Sequence, residues 1–237
     1  MRFPRNGAGA SRRAVLFTAA LCLAAPALGG CHKHQASDKA APAKPSGKDR
    51  YADDKALAQH LAAARSRWAR PPKLPDCNKL LDSSQASLCV HAAKAEAELG
   101  RLVASGASPA KLLDATGKLA LALADATHAL RRAAMSYLGK HKGDTRSTSP
   151  YLEPMQRYTF VTNGTLQYLL VFLQFGPLDT RRKAFETFDR FWRAHPEWTT
   201  TRNLLEAAAR REDDAALEQR ILDLTQHPPA LSQGKAK

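Results

Sequence analysis

The 237-residue chain is short of acid, with 22 Asp and Glu against 36 Lys and Arg for a net charge of +14, and it has only four cysteines. It also lacks a transmembrane run: its longest apolar segment, Ala14 to Ala25, falls short of the roughly 20 residues that a spanning helix needs. G-x-S-x-G, H-E-x-x-H, the Walker loop and the dinucleotide fingerprint are all missing, so no motif points to a hydrolase, zinc protease, nucleotidase or Rossmann enzyme. No sequence repeat supports a regular solenoid. A basic balance alone would suit nucleic acid, yet no helix-turn-helix, RNA-binding signature or basic and aromatic interleaving accompanies it, and a nucleic-acid partner is not expected.

What is present begins with Arg2, Arg5, Arg12 and Arg13, followed by the apolar stretch to Ala25 and closed by Pro26, with no acidic residue among them. A positive segment leading into a short apolar one has the form of an export signal. It runs into Leu28-Gly29-Gly30-Cys31, which resembles the lipobox of bacterial lipoproteins. The resemblance covers residues 1–31 alone. It implies cleavage before Cys31 and a diacylglyceryl group on its sulfur, giving the more than one chain that stable anchoring requires. An ordinary export signal cut nearby would instead leave Cys31 as a spare thiol. Ser11-Arg12-Arg13-Ala14-Val15-Leu16 also resembles a twin-arginine export signal, without the usual later Phe and Lys. In the lipoprotein family Asp after the cysteine favours the inner membrane; His32 stands there, which implies the periplasmic face of an outer membrane.

Loss of the signal would leave 32 basic against 22 acidic residues, a mature charge of +10. From Cys31 to about Arg50 the chain is Lys, Ala, Ser, Pro and Gly without a large apolar residue, and it reads as a disordered tether with a reach on the order of 25 Å. Two tether histidines beside an alkylated sulfur make a poor metal site. Beyond the tether only Cys77 and Cys89 remain, and outside the cytoplasm such a pair is expected to form a disulfide, contributing roughly 3 kcal/mol. The spacing is not C-x-x-C and no His pair adjoins it, which disfavours zinc. No cofactor or metal is expected.

Residues 51–228 are long enough for one sizeable core, and their periodicity predicts an all-α fold, an irregular antiparallel bundle of six or seven helices, with a frayed tail over 229–237. Leu57, Leu61, Ala64 and Trp68 mark a first helix ended by Pro71-Pro72. Asp82 with Gln85 suggests a capping box opening a second, and Ser108-Pro109 a cap and first turn for a third. That third helix holds Leu119-Ala120-Leu121-Ala122-Leu123-Ala124-Asp125, which alternates like a strand; its alanines favour helix, whereas Gly117 weakens it. An apolar helix over Met155 to Phe175 is expected to cross the core. After Gly176-Pro177, Asp179 is expected to cap a helix with Phe185, Phe188 and Trp192 on its buried face, and two short helices follow around Arg202 to Arg211 and Asp214 to Thr225.

Two basic clusters are the candidate contacts for an anion or partner. Lys140, His141, Lys142 and Arg146 lie in a polar segment spanning Gly139 to Pro150, long for a connection inside a bundle. Arg181, Arg182 and Lys183 fall in a helix first turn, where the macrodipole disfavours positive charge. A solvated surface is the plainer account of both. His60, His91, His128 and His141 belong to no catalytic spacing, and His91 and Glu98 are two turns apart. The sequence therefore leads to a lipid-anchored envelope protein that binds or scaffolds an envelope protein or an anionic polymer, the alternative being a helical periplasmic hydrolase or lyase whose site is assembled only by folding.

Overall fold

The computed structural model describes residues 54–67, 74–77, 79–143 and 149–230. The signal, Cys31, the tether, Trp68, Pro71-Pro72, Arg146 and the tail beyond residue 230 lie outside them. Among the described residues there are seven helices and no strand: α1 (Asp54–Arg67), α2 (Ser83–Ala104), α3 (Pro109–Lys140), α4 (Leu152–Phe175), α5 (Leu178–Ala194), α6 (Thr200–Ala209) and α7 (Ala215–Gln226). The all-α bundle expected from periodicity is the fold found.

Helix α4 is its centre, packing against α1, α3, α5 and α6. Tyr158, Leu166, Leu169, Phe172 and Leu173 on it are essentially inaccessible, so the most apolar segment serves as the shared wall of the core. Helix α3, 32 residues long and hence about 48 Å, lies between α2 and α4 and also touches α5. Its strand-like stretch is helical, with Leu119, Ala120, Leu123 and Ala124 fully buried and Asp125 exposed. Alanine at these positions lets neighbouring backbones approach. Buried threonines are satisfied within their own helices: Thr116, Thr127, Thr162 and Thr165 each donate to the carbonyl four residues earlier.

Helix ends depart from expectation in detail. Asp82 and Ser108 occupy the N-cap positions of α2 and α3, but neither side chain makes a capping bond; the Asp82 carbonyl accepts from Gln85 and Ala86 N–H instead. Pro177, not Asp179, is the N-cap residue of α5, and Asp179 sits inside its first turn. Asp214 does cap α7, its Oδ1 accepting from Leu217 N–H at 2.8 Å. Helix α3 runs two residues into the segment read as a long loop, to Lys140, and α4 starts just beyond it, at Leu152 and three residues ahead of the expected Met155.

Cys77 and Cys89 are joined as a disulfide with Cα atoms 6.0 Å apart, pinning the connector ahead of α2 to that helix. The connector rests on α4 through Tyr158, whose hydroxyl donates to the Pro75 carbonyl at 3.3 Å and lies 3.6 Å from Cys77 Sγ. Burial, then the Glu96 and Asp76 carboxylates, push the Tyr158 phenol up to about 12. Gly117, the weak point of α3 by propensity, is buried against α5, where an added Cβ would come within 2.6 Å of Thr187 Cγ2.

Two outcomes are expected. Gly117→Ala destabilises the fold by about 1 kcal/mol in urea unfolding despite its better helix propensity, and Gly117→Ala with Thr187→Ser recovers the loss; independent additive effects would refute the close-approach explanation. The Tyr158 phenol is raised in the folded state, so its contribution is whole below about pH 10 and is lost as pH rises toward 12. Tyr158→Phe lowers stability by about 1 kcal/mol at neutral pH and flattens that alkaline decline, read from unfolding midpoints across the pH range.

Candidate functional site

Helices α3 and α4 form an antiparallel hairpin closed by Tyr137 packing edge-on to Tyr151, ring centroids 5.8 Å apart. Along one side the two helices part to leave an open groove of about 870 Å³, within the range of small-ligand sites. Met135 and Phe160, 58 % and 56 % exposed, line it; with Val90 they are the large apolar side chains left exposed among the described residues. Two of three falling in one groove marks an apolar surface that no other described residue covers.

Leu138, Ser149 and Met155 line the part near the hairpin turn and Arg131, Phe160 and Asn163 the part away from it, so polar and apolar side chains are mixed along the groove. Arg131 is exposed and forms no ion pair among the described residues. Asn163 Oδ1 is buried with no hydrogen-bond partner among them. Thr127 is occupied, donating to the Leu123 carbonyl at 2.7 Å. Among the described residues the groove is lined by apolar side chains, neutral polar groups and one cation, and by no carboxylate.

No family model, curated protein or solved structure matches this chain. The site is accordingly read from its own geometry.

The two basic clusters meet different fates. Lys140 and Lys142 are exposed, but His141 is tied to α3, its backbone N–H and Nδ1 both 2.9–3.0 Å from the Tyr137 carbonyl and its ring stacked on Tyr137 at 4.1 Å. Arg146 lies outside the described residues. Arg181, expected at the surface, is instead buried: Nη1 donates to the Gly176 carbonyl at 3.1 Å, and Nη2 meets Asp213 Oδ1 at 2.8 Å and Glu212 Oε1 at 3.1 Å. Arg182 Nη2 stands 3.7 Å from Asp214 Oδ2, and Lys183 is exposed. Carboxylates from the α6–α7 connection therefore offset the dipole cost that made this cluster conspicuous. Burial raises the Glu212 carboxyl above its usual range, opposed by the Asp213 and Asp214 N–H groups and by Arg181.

A second constellation was not legible in the sequence. His195, buried in the α5–α6 turn, has Nε2 3.2 Å from Asp125 Oδ1 on α3 and Nδ1 3.5 Å from Glu197 Oε1; His128 Nδ1 stands 3.4 Å from that same oxygen. Only folding brings α3 to this turn. None of these four residues lines the groove, and among the described residues no hydroxyl or thiol nucleophile is bonded to either imidazole. His60 is stacked on Phe175 with centroids 3.8 Å apart, and His91 and Glu98 are exposed. The groove itself was equally hidden: no pattern in the sequence sets Met135 and Phe160 apart from the buried apolar residues of α3 and α4, yet both are exposed.

Arg181→Met is expected to cost about 3–5 kcal/mol in urea unfolding, because Glu212 is left buried without its cation, and Glu212→Gln in the same chain recovers part of the loss. A cost below about 1 kcal/mol would mean that Arg181 is available to an outside anion.

Proposed function

We propose that this chain is a lipid-anchored envelope protein that works by binding, held at a membrane surface through Cys31 and presenting the α3–α4 groove to an envelope component. The observation that carries this reading is the concentration of exposed apolar surface, Met135 and Phe160, in one open groove. Burying that surface on a partner gains roughly 25 cal/mol per Å² before the costs of association. The lipobox-like Leu28-Gly29-Gly30-Cys31 supports the anchor, and the His32 position supports an outer-membrane address facing the periplasm. The basic surface, Lys140, Lys142 and Lys183 among it, suits an anionic polymer or the acidic face of an envelope protein as a weaker, salt-sensitive contribution.

The hydrolase or lyase alternative would draw on Asp125, His128, His195 and Glu197. Those side chains hold α3 against the α5–α6 turn and do not border the groove, which favours a structural role for them.

Cys31→Ala is expected to abolish incorporation of labelled palmitate and release the protein from the membrane fraction. A photoreactive phenylalanine analogue at Phe160 is expected to give discrete envelope adducts in the anchored protein and none from the exposed position Gln219. Adducts of equal yield at both positions would refute the groove as the recognition surface.

A further inference from the structure

We infer that His195 is a proton-operated clamp: as an imidazolium it binds α3 and the α5–α6 turn together through Asp125 and Glu197, and as a neutral ring it holds only one of the two.

Both ring nitrogens of His195 face a carboxylate. Nε2 stands 3.2 Å from Asp125 Oδ1 and Nδ1 stands 3.5 Å from Glu197 Oε1, while the side chain is only 7 % exposed. A neutral imidazole carries one N–H, so it can donate to one of these oxygens and turns a lone pair toward the other; the imidazolium donates in both directions. Little water reaches the ring to relieve that mismatch. Loss of the proton therefore removes the attraction to one carboxylate and sets two acceptors face to face.

The surroundings make this proton the deciding charge. Among the described residues no Lys or Arg pairs with Asp125 or Glu197, and histidines are their cationic partners. The facing groups on α3 are Asp125 and His128, the latter half-exposed with Nδ1 3.4 Å from Glu197 Oε1, and the turn supplies Glu197 itself. Helix α5 presents the Phe191 ring, 5.5 Å from the His195 ring, and Phe191 packs in turn on Trp198. Arg193 near the end of α5 is bonded to Asp189, and Arg202 on α6 to Glu206, so each is held by its own helix. A lysine or arginine at this joint would make it permanent, whereas imidazole changes charge near neutral pH.

The backbone of the turn reports whether the joint is closed. Trp198 N–H donates to the His195 carbonyl, and the Thr199, Thr201 and Arg202 N–H groups continue the bonding into α6. Opening of the clamp exposes these amides to exchange.

The test is hydrogen exchange of the full chain at about pH 5.5 and about pH 8, either side of the imidazole range, corrected for the intrinsic rate and read by peptide mass spectrometry. Protection over residues 195–202 is expected to be about tenfold greater at the acid pH, the loss of one charge-assisted contact. In His195→Gln, which keeps a donor and an acceptor without the charge, that contrast should shrink to within about twofold. Asp125→Asn and Glu197→Gln should each cut it to about threefold or less, and His128→Gln should leave most of it. The Glu212 carboxyl, raised by burial, also makes the folded chain less stable as pH rises, but it is present in every variant and drops out of the comparison.

No contrast in the unaltered chain overturns the proposal, as does a contrast in His195→Gln equal to that of the unaltered chain or one removed by His128→Gln alone. Its full survival in both Asp125→Asn and Glu197→Gln does the same. Should His195→Gln fail to fold by far-ultraviolet circular dichroism, Asp125→Asn, at a side chain half in solvent, decides the matter by the same measure.

Discussion

The arrangement of the second half of the bundle depends on one buried guanidinium. Arg181 stands at the start of α5, beside the end of α4 and beneath the α6–α7 connection, and it holds all three by bonding the Gly176 carbonyl, Asp213 and Glu212. Glu212 in turn accepts from the Asp213 and Asp214 N–H groups, which sets the turn from which Asp214 caps α7. A charge out of water is tolerated only when acceptors and counter-charges meet it, as the Gly176 carbonyl, Asp213 and Glu212 do here for Nη1 and Nη2. Remove it and three backbone directions lose their common reference, while a buried carboxylate is stranded.

The other half is organised by close approach. Ala120, Ala124 and Gly117 on α3 let it pass between α2, α4 and α5, and the Cys77–Cys89 disulfide with the Tyr158 bond to Pro75 ties the connector ahead of α2 onto the same wall. The Asp125–His195–Glu197–His128 contacts join α3 to the α5–α6 turn, so the long helix is fixed to both halves. The groove opens on the side of the α3–α4 hairpin where no further helix among the described ones is packed. Its walls are thus held rigidly by the core behind them, which suits a preformed binding surface more than one assembled on contact.

The placement of charge separates structural from available cations. Surface pairs such as Arg157 with Glu153 and Arg193 with Asp189 are one helical turn apart and stabilise their own helices slightly. Arg181 is spent inside the fold, and Arg182 leans toward Asp214. Arg131 differs from these in lining the α3–α4 groove, where no carboxylate is among the described lining residues.

Local patterns and composition determined the helical class, the central place of the segment ending at Phe175, the Ser108-Pro109 helix start and the pairing of Cys77 with Cys89, because each depends on residues near one another in the chain or on the small number of thiols. They could not decide which basic residues face outward. Arg181 looked exposed because the carboxylates that neutralise it come from about thirty residues later, a separation that no local pattern encodes. The same holds for Met135 and Phe160, apolar residues at helical spacing that either core or groove would explain. Only the register of α3 against α4, and the absence of a neighbouring helix over them among the described residues, left them at the surface. The local helices follow from backbone propensity and side-chain period, whereas the open groove follows from which faces the tertiary packing of the described residues left uncovered.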